Sequence, residues 1–178
     1  MAIDRARTAR GAVAGALAAG VWALQQPLDK RVFGVAYDDT ELLGKLVTRG
    51  PAWPAAGLAM HVANGAAFGA AYATLARRLP LPSWARGPAA ALAEHLATWP
   101  LVAVTDRVHP ARGEMPALST SGRAFAQATW RHFLFGLVLG EVERRLNAPE
   151  DEEVPPYEHV VSSNGHGNIE HAISGATG

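Results

Sequence analysis

Charged residues are almost absent from four long blocks of this sequence. The blocks cover residues 11–28, 52–76, 87–105 and 124–140. Only two of their 79 residues are charged, Glu94 and Arg131. Because 18% of the whole chain is charged, an even spread would place about 14 charges there. This distribution favours long helices and excludes an intrinsically disordered chain, while the lack of cysteine excludes a disulfide scaffold.

The length of each block is close to what a membrane span requires. An α-helix rises about 1.5 Å per residue, so about 20 residues cross a hydrocarbon core of about 30 Å. A soluble helical bundle is the alternative, but its amphipathic helices should carry a charged stripe on one face, and none of the blocks does. We therefore predict an all-α, polytopic membrane protein with a four-helix transmembrane bundle over residues 1–146. The spans are expected at about residues 11–28, 52–76, 87–105 and 124–145.

Arginine residues next to the blocks indicate an orientation. Arg77 and Arg78 follow the second block, and Arg144 and Arg145 follow the fourth. The positive-inside rule then favours a multi-pass protein of the cell membrane with both termini in the cytoplasm. The first block resembles a signal peptide, but no A-x-A pattern follows it, and we expect an uncleaved span. The expected partners are the lipid bilayer and either a second copy or another membrane protein, and not nucleic acid, which needs a broad basic surface.

Two further segments differ from the blocks. Asp38 and Glu41 lie three residues apart, as at the start of a capped helix, and predict a short surface helix after the first block. Residues 147–178 contain an acidic run, two adjacent prolines and many polar residues. We expect this segment to be a flexible C-terminal tail.

Glycine pairs with G-x-x-x-G spacing occur in three of the blocks. They are Gly11 with Gly15, Gly65 with Gly69, and Gly136 with Gly140. Small residues one turn apart allow two helix backbones to approach closely, which is how helices pack when the hydrophobic effect does not drive them together. The three pairs predict a tightly packed bundle, and the same surfaces would also suit a homodimer.

Polar residues at the middle of the blocks are the candidate functional residues. They are His61, Asn64, Glu94, His95, Arg131 and His132. Ionisable groups in a span are costly, so they normally face the bundle interior and pair with one another. We expect Glu94 to meet Arg131 or a histidine of another helix.

Several functions would use such a polar cluster. Our leading interpretation is a structural or accessory membrane protein in which the cluster holds the helices in register. The alternative is a proton- or ion-linked transporter or channel-like module that uses the cluster as a relay. A metal site is less favoured, because the blocks lack E-x-x-H pairs. The chain contains no recognisable catalytic motif, so we predict no catalytic residues and no cofactor, and we lean against an enzyme.

Three segments resemble the YagU-like family of small inner-membrane proteins. The first is AGLAMHVANGAAFGAAYATLARRLP with His61, and the second is GPAAALAEHLATWPL with His95 and Pro100. The third is RHFLFGLVLGEVERRL with His132 and Glu141. The resemblance covers about residues 8–147 and implies a multi-span membrane protein with histidines in corresponding spans. It implies no catalytic residues, because the biochemical function of that family is uncharacterised.

Overall fold

The computed structural model describes residues 4–148, and these residues form helices and turns without any strand. The α-helices are α1 (Arg5–Phe33), α2 (Asp39–Val47), α3 (Trp53–Leu75), α4 (Ser83–Thr98), α5 (Val102–Val108) and α6 (Gly122–Leu146). Short 3-10 turns follow α3 at Ala76–Arg78 and join α4 to α5 at Trp99–Leu101. The chain divides between Asn147 and Ala148 into two units, and all of these helices belong to the first. Most of the predicted tail, residues 149–178, lies outside the described residues.

Local capping explains where several helices begin and end. The Asp4 carboxylate accepts a hydrogen bond from the backbone N–H of Arg7 at the start of α1. Gly34 ends that helix in the left-handed conformation, with φ of 67°. The Asp38 carboxylate accepts from the N–H groups of Thr40 and Glu41, so the short helix expected there begins as α2.

Two proline positions differ from the predicted spans. The first predicted span ends at residue 28, directly after Pro27, but α1 continues through this proline to Phe33. Proline removes only one backbone donor, and the buried contacts of Asp29 hold the following turn in the helix. In the third block α4 ends at Thr98, and Pro100 lies in the 3-10 turn. The span predicted over residues 87–105 is therefore two helices joined by this turn.

The transmembrane prediction is wrong. Over residues 4–148, no helix is both long enough and apolar enough to cross a membrane. At 1.5 Å per residue, the 16 residues of α4 span only about 24 Å. The blocks were identified by their lack of charge. Alanine and glycine carry little apolar surface, so an uncharged block need not be strongly hydrophobic. The predictions of a four-span bundle and of a multi-pass membrane localisation with cytoplasmic termini are therefore wrong as well.

Helix pairs pack through small residues in the described part of the chain. Helix α1 lies against α3 and α6, and α4 lies against α6. At the α1–α3 crossing, Gly11 and Gly15 face Gly65 and Gly69, and a Cβ on Gly65 would lie 2.7 Å from the Gly15 carbonyl oxygen. Such a contact is too short, so glycine permits this approach of the two backbones.

The α4–α6 crossing uses the remaining predicted glycines and one that was not predicted. Gly136 and Gly140 of α6 face Gly87 of α4, and a Cβ on Gly136 would lie 2.6 Å from the Gly87 carbonyl oxygen. Gly87 has no glycine partner four residues away in the sequence, so a search for G-x-x-x-G does not find it. Its position beside Pro88 and a run of alanines is the signal that was available.

The interior of the bundle is small and partly polar, whereas several large apolar side chains lie outside. Ala14, Ala18 and Leu139 are completely buried, and so is Arg131. By contrast, Leu24 is 83% exposed and Val32 is 70% exposed on α1. The small side chains allow the close crossings described above, and they leave room between the helices for a cavity.

Candidate functional site

A cavity of about 300 Å³ lies among the helices of the first unit. Its apolar wall includes the rings of Trp22, Phe68, Trp99 and Phe135. Its polar wall includes Asp39, His61, Asn64, Glu94, His95 and His132. Pockets of this size, mostly apolar with a few convergent polar groups, are typical small-molecule sites. Five of the six polar residues predicted from the sequence therefore line one space.

Glu94 of α4 and His132 of α6 form an ion pair on the cavity wall. His132 Nε2 lies 3.2 Å from Glu94 Oε2. The other ring nitrogen, Nδ1, lies 2.7 Å from the Ala128 carbonyl oxygen, which can only accept, so Nδ1 carries a proton. The hydrogen bond from His132 lowers the pKa of Glu94 against the opposing effect of burial. The contact joins α4 to α6 across the cavity wall, and it is a full ion pair only when His132 is protonated.

His95 is the neutral neighbour of this pair. Its Nε2 lies 3.0 Å from the Thr129 hydroxyl, which donates its own proton to the Phe125 carbonyl. Nε2 therefore carries the proton, and Nδ1 is left as an acceptor. The ring stacks on His132 with centroids 4.5 Å apart. Burial lowers the pKa of His95 to about 4, and the charge on His132 acts in the same direction.

His61 lies on the cavity wall opposite, in α3. The side chain is 8% exposed, and its ring meets the Trp22 ring edge-on at 5.2 Å. Its Nε2 is buried and has no hydrogen-bond partner within residues 4–148. Burial lowers the pKa of His61, although the Asp39 carboxylate opposes this. Asn64, one turn further along α3, lines the cavity and is exposed.

Arg131 does not contact the cavity and does not pair with Glu94. It is completely buried, and its Nε and Nη2 both donate to the Asp29 carboxylate at 2.6 Å. Its Nη1 donates to Asp39 Oδ2 at 2.7 Å, and Nη2 also reaches the Tyr37 carbonyl oxygen. Burial opposes the charge, but the hydrogen bonds with Asp29 and the charge of Asp39 raise the pKa of Arg131. We call Asp29, Asp39 and Arg131 the buried ion network.

Neighbouring side chains complete the buried ion network. Gln127 donates to Asp29 Oδ1 at 2.7 Å, and Trp22 Nε1 donates to Asp39 Oδ2 at 2.9 Å. The Tyr37 hydroxyl donates to Asp39 Oδ1, and burial raises the pKa of that hydroxyl well above its ordinary value. The network thus joins α1, α2 and α6 through hydrogen bonds to charged groups, which are the strong class of hydrogen bond.

Sequence reasoning missed Asp29 and Asp39. Asp29 lies just beyond the first predicted span, which ends at residue 28, and the helix cap predicted nearby involved Asp38 and Glu41 but not Asp39. The available signal was the isolated Arg131 in an otherwise apolar block, which demands a buried acidic partner. That partner could not be chosen from local sequence, since Arg131 lies 102 residues from Asp29 and 92 from Asp39.

The described residues do not support the alternative of a metal site. Over the described residues, no group of three or more histidine or acidic side chains is placed to hold a metal ion. The two imidazoles of His95 and His132 stack face to face, whereas metal ligands converge with their nitrogen atoms on one point.

No family model, curated protein or solved structure matches the chain. The resemblance to the YagU-like family stays a prediction, and the function has to be argued from the site itself.

Proposed function

We propose that this protein binds a small organic molecule in the cavity lined by Trp22, His61, Glu94 and His132. The observation that carries the proposal is the cavity itself, a space of about 300 Å³ that the described side chains leave unfilled between the helices. Small-molecule sites have volumes of this order.

The composition of the cavity wall supports the same function. Aromatic rings on one side offer apolar contact, and the Glu94 carboxylate, held by His132, offers an acceptor of fixed orientation. Glu94 is only partly covered, with 39% of its side chain exposed, so a ligand can reach it. This combination of apolar contact and a few directed polar groups gives both affinity and orientation.

A cavity-filling variant tests the proposal. Calorimetric titration uses three one-ring probes of similar size, namely benzylamine, benzyl alcohol and benzoate. Asn64→Trp places a large ring at the exposed edge of the cavity, and we expect it to abolish binding of every probe that the parent protein binds. Ala63→Trp is the matched control, because Ala63 is exposed on the same helix and does not line the cavity.

The outcomes of this titration are distinct. Binding that survives Ala63→Trp and disappears in Asn64→Trp supports the cavity as the site. The proposal is wrong if the parent protein binds none of the probes, or if both tryptophan variants bind as well as the parent.

A second proposal concerns the buried ion network. We infer that Asp29, Asp39 and Arg131 hold α1, α2 and α6 in register, which is the structural role expected for the polar cluster from the sequence. The observation in favour is that the fully buried guanidinium of Arg131 pairs with both carboxylates. Directional contacts of this kind penalise a shift of one helix along another.

A further inference from the structure

The buried ion network carries an excess of negative charge directly behind the cavity wall. Two carboxylates, Asp29 and Asp39, share the single guanidinium of Arg131. Their formal charges leave the network with one more negative than positive charge. Asp39 is also part of the cavity wall, so this excess lies at the surface that a ligand would meet.

The other charged and titratable groups of the wall do not offset that excess. His132 contacts Glu94, and even when protonated it offsets only the charge of that carboxylate. His61 and His95 are neutral imidazoles near pH 7, because burial lowers the pKa of each. Lys30, which follows Asp29 in the chain, pairs with Asp38. A negative charge in such surroundings is stabilised when an opposite charge comes close to it.

The aromatic wall is suited to the same kind of ligand. Trp22, Trp99 and Phe135 line the cavity, and the faces of aromatic rings attract cations. A neutral imidazole also presents one nitrogen as an acceptor, as His95 does with Nδ1. Acceptors, ring faces and a carboxylate together make a site that receives N–H donors.

We propose that the cavity selects an organic cation, a small primary or secondary amine attached to an apolar group. This inference rests on the proposed ligand-binding function and specifies its ligand class. The ammonium group donates to the Asp39 and Glu94 carboxylates on the polar wall, and the apolar group packs against the aromatic rings. An anionic ligand of equal size meets the Asp39 and Glu94 carboxylates and is disfavoured.

The order of affinity among the three probes tests the charge preference. At pH 7 we expect benzylamine to bind at least about tenfold more tightly than benzyl alcohol, and benzoate to bind more weakly than both. Glu94→Gln removes one carboxylate from the wall and should reduce the benzylamine affinity by about tenfold while changing the benzyl alcohol affinity much less. Glu141→Gln, at an exposed α6 residue outside the cavity, is the control that should change neither.

The results separate this inference from the function on which it depends. If benzyl alcohol or benzoate binds as tightly as benzylamine and Asn64→Trp still abolishes binding, the cavity is a binding site but not a cation site. If Glu94→Gln lowers the affinity for benzylamine and benzyl alcohol equally, the carboxylate does not select charge and the inference is again overturned. Absence of binding by all three probes overturns the ligand-binding function itself.

Discussion

Arg131 and His132 are adjacent in α6, yet their side chains serve different parts of the molecule. Successive helix positions are about 100° apart, so one side chain enters the buried ion network while the other reaches the cavity. Glu94 and His95 divide in a similar way, since Glu94 pairs with His132 whereas His95 donates to Thr129. At this scale the polar cluster is two sites, one structural and one open to a ligand.

Replacement of Arg131 by methionine tests the structural site. Arg131→Met keeps most of the buried volume but leaves the Asp29 and Asp39 carboxylates without their cation. We expect the free energy of unfolding to fall by about 3–5 kcal/mol, as measured by urea denaturation. Arg145→Met is the control, because the Arg145 side chain is 73% exposed and its ion pair with Glu141 should contribute less than about 1 kcal/mol. Equal losses in the two variants would contradict the assignment.

The lowered pKa of His95 predicts a specific loss of stability in acid. The unfolded chain binds a proton at this residue near pH 6.5, whereas the folded chain does so only near pH 4. The contribution of His95 to stability is therefore complete above pH 6.5 and declines as the pH falls towards 4, by up to about 1.4 kcal/mol per pH unit.

His95→Gln isolates that contribution. The glutamine amide can still donate to the Thr129 hydroxyl but does not titrate. Urea denaturation of both proteins at pH 7, 5.5 and 4.5 should show a shallower decline in the variant. An identical pH dependence in the two proteins would show that His95 titrates normally in the folded state.

At the scale of the elements, the positions of the helix crossings are set by glycine. A Cβ on Gly15 would lie 2.8 Å from the Gly65 carbonyl carbon, so α1 and α3 would have to separate. Gly20 lies on the same helix, and a Cβ there would meet nothing within 4 Å. The two residues therefore separate the packing effect of a methyl group from its effect on helix propensity.

Gly15→Ala and Gly20→Ala should change stability in opposite directions. We expect Gly15→Ala to destabilise the protein by about 1–3 kcal/mol through overpacking, and Gly20→Ala to stabilise it by about 0.5–1 kcal/mol through reduced backbone entropy of the unfolded chain. Thermal and urea denaturation measure both effects. Stabilisation by both substitutions would mean that α1 and α3 do not approach as closely as described.

The helix boundaries were predictable to different degrees for identifiable reasons. The second block, residues 52–76, corresponds closely to α3, because proline and arginine mark its ends and the block contains no internal break. The two prolines inside predicted spans have different effects. Helix α1 continues through Pro27, whereas α4 ends before Pro100. Tertiary contacts such as those of Asp29 decide these cases, and they do not appear in local sequence.

At the scale of the whole molecule, the same charge pattern indicated helices, which the described residues form, and membrane spans, which they do not. Long blocks with only two charged residues among 79 indicated helices. The blocks are uncharged in part because their glycines and alanines form close crossings, as at Gly15 and Gly65, where a long side chain has no room. The lack of charge therefore reflects close helix packing, and it does not indicate membrane spans.

The residues of the candidate site could be predicted from the sequence, but the contacts between them could not. Polar residues within apolar helices usually face the interior, and this principle singled out His61, Glu94, His95 and His132. Which residues pair depends on helix rotation and on contacts about 100 residues apart in the chain. The assignment of Arg131 to Asp29 and Asp39 rather than to Glu94 required the three-dimensional structure.

Asp39 belongs to both the buried ion network and the cavity wall, and this shared membership restricts how the protein can evolve. A substitution at Asp39 that altered ligand preference would also remove a partner of Arg131 and weaken the core. Changes at Glu94 should not weaken the core in this way. That side chain is partly exposed, and its described contacts are with His132 and Thr98 rather than with the buried ion network. Natural variants with new ligand preferences should therefore diverge at Glu94 and at the exposed Asn64 long before they diverge at Asp39.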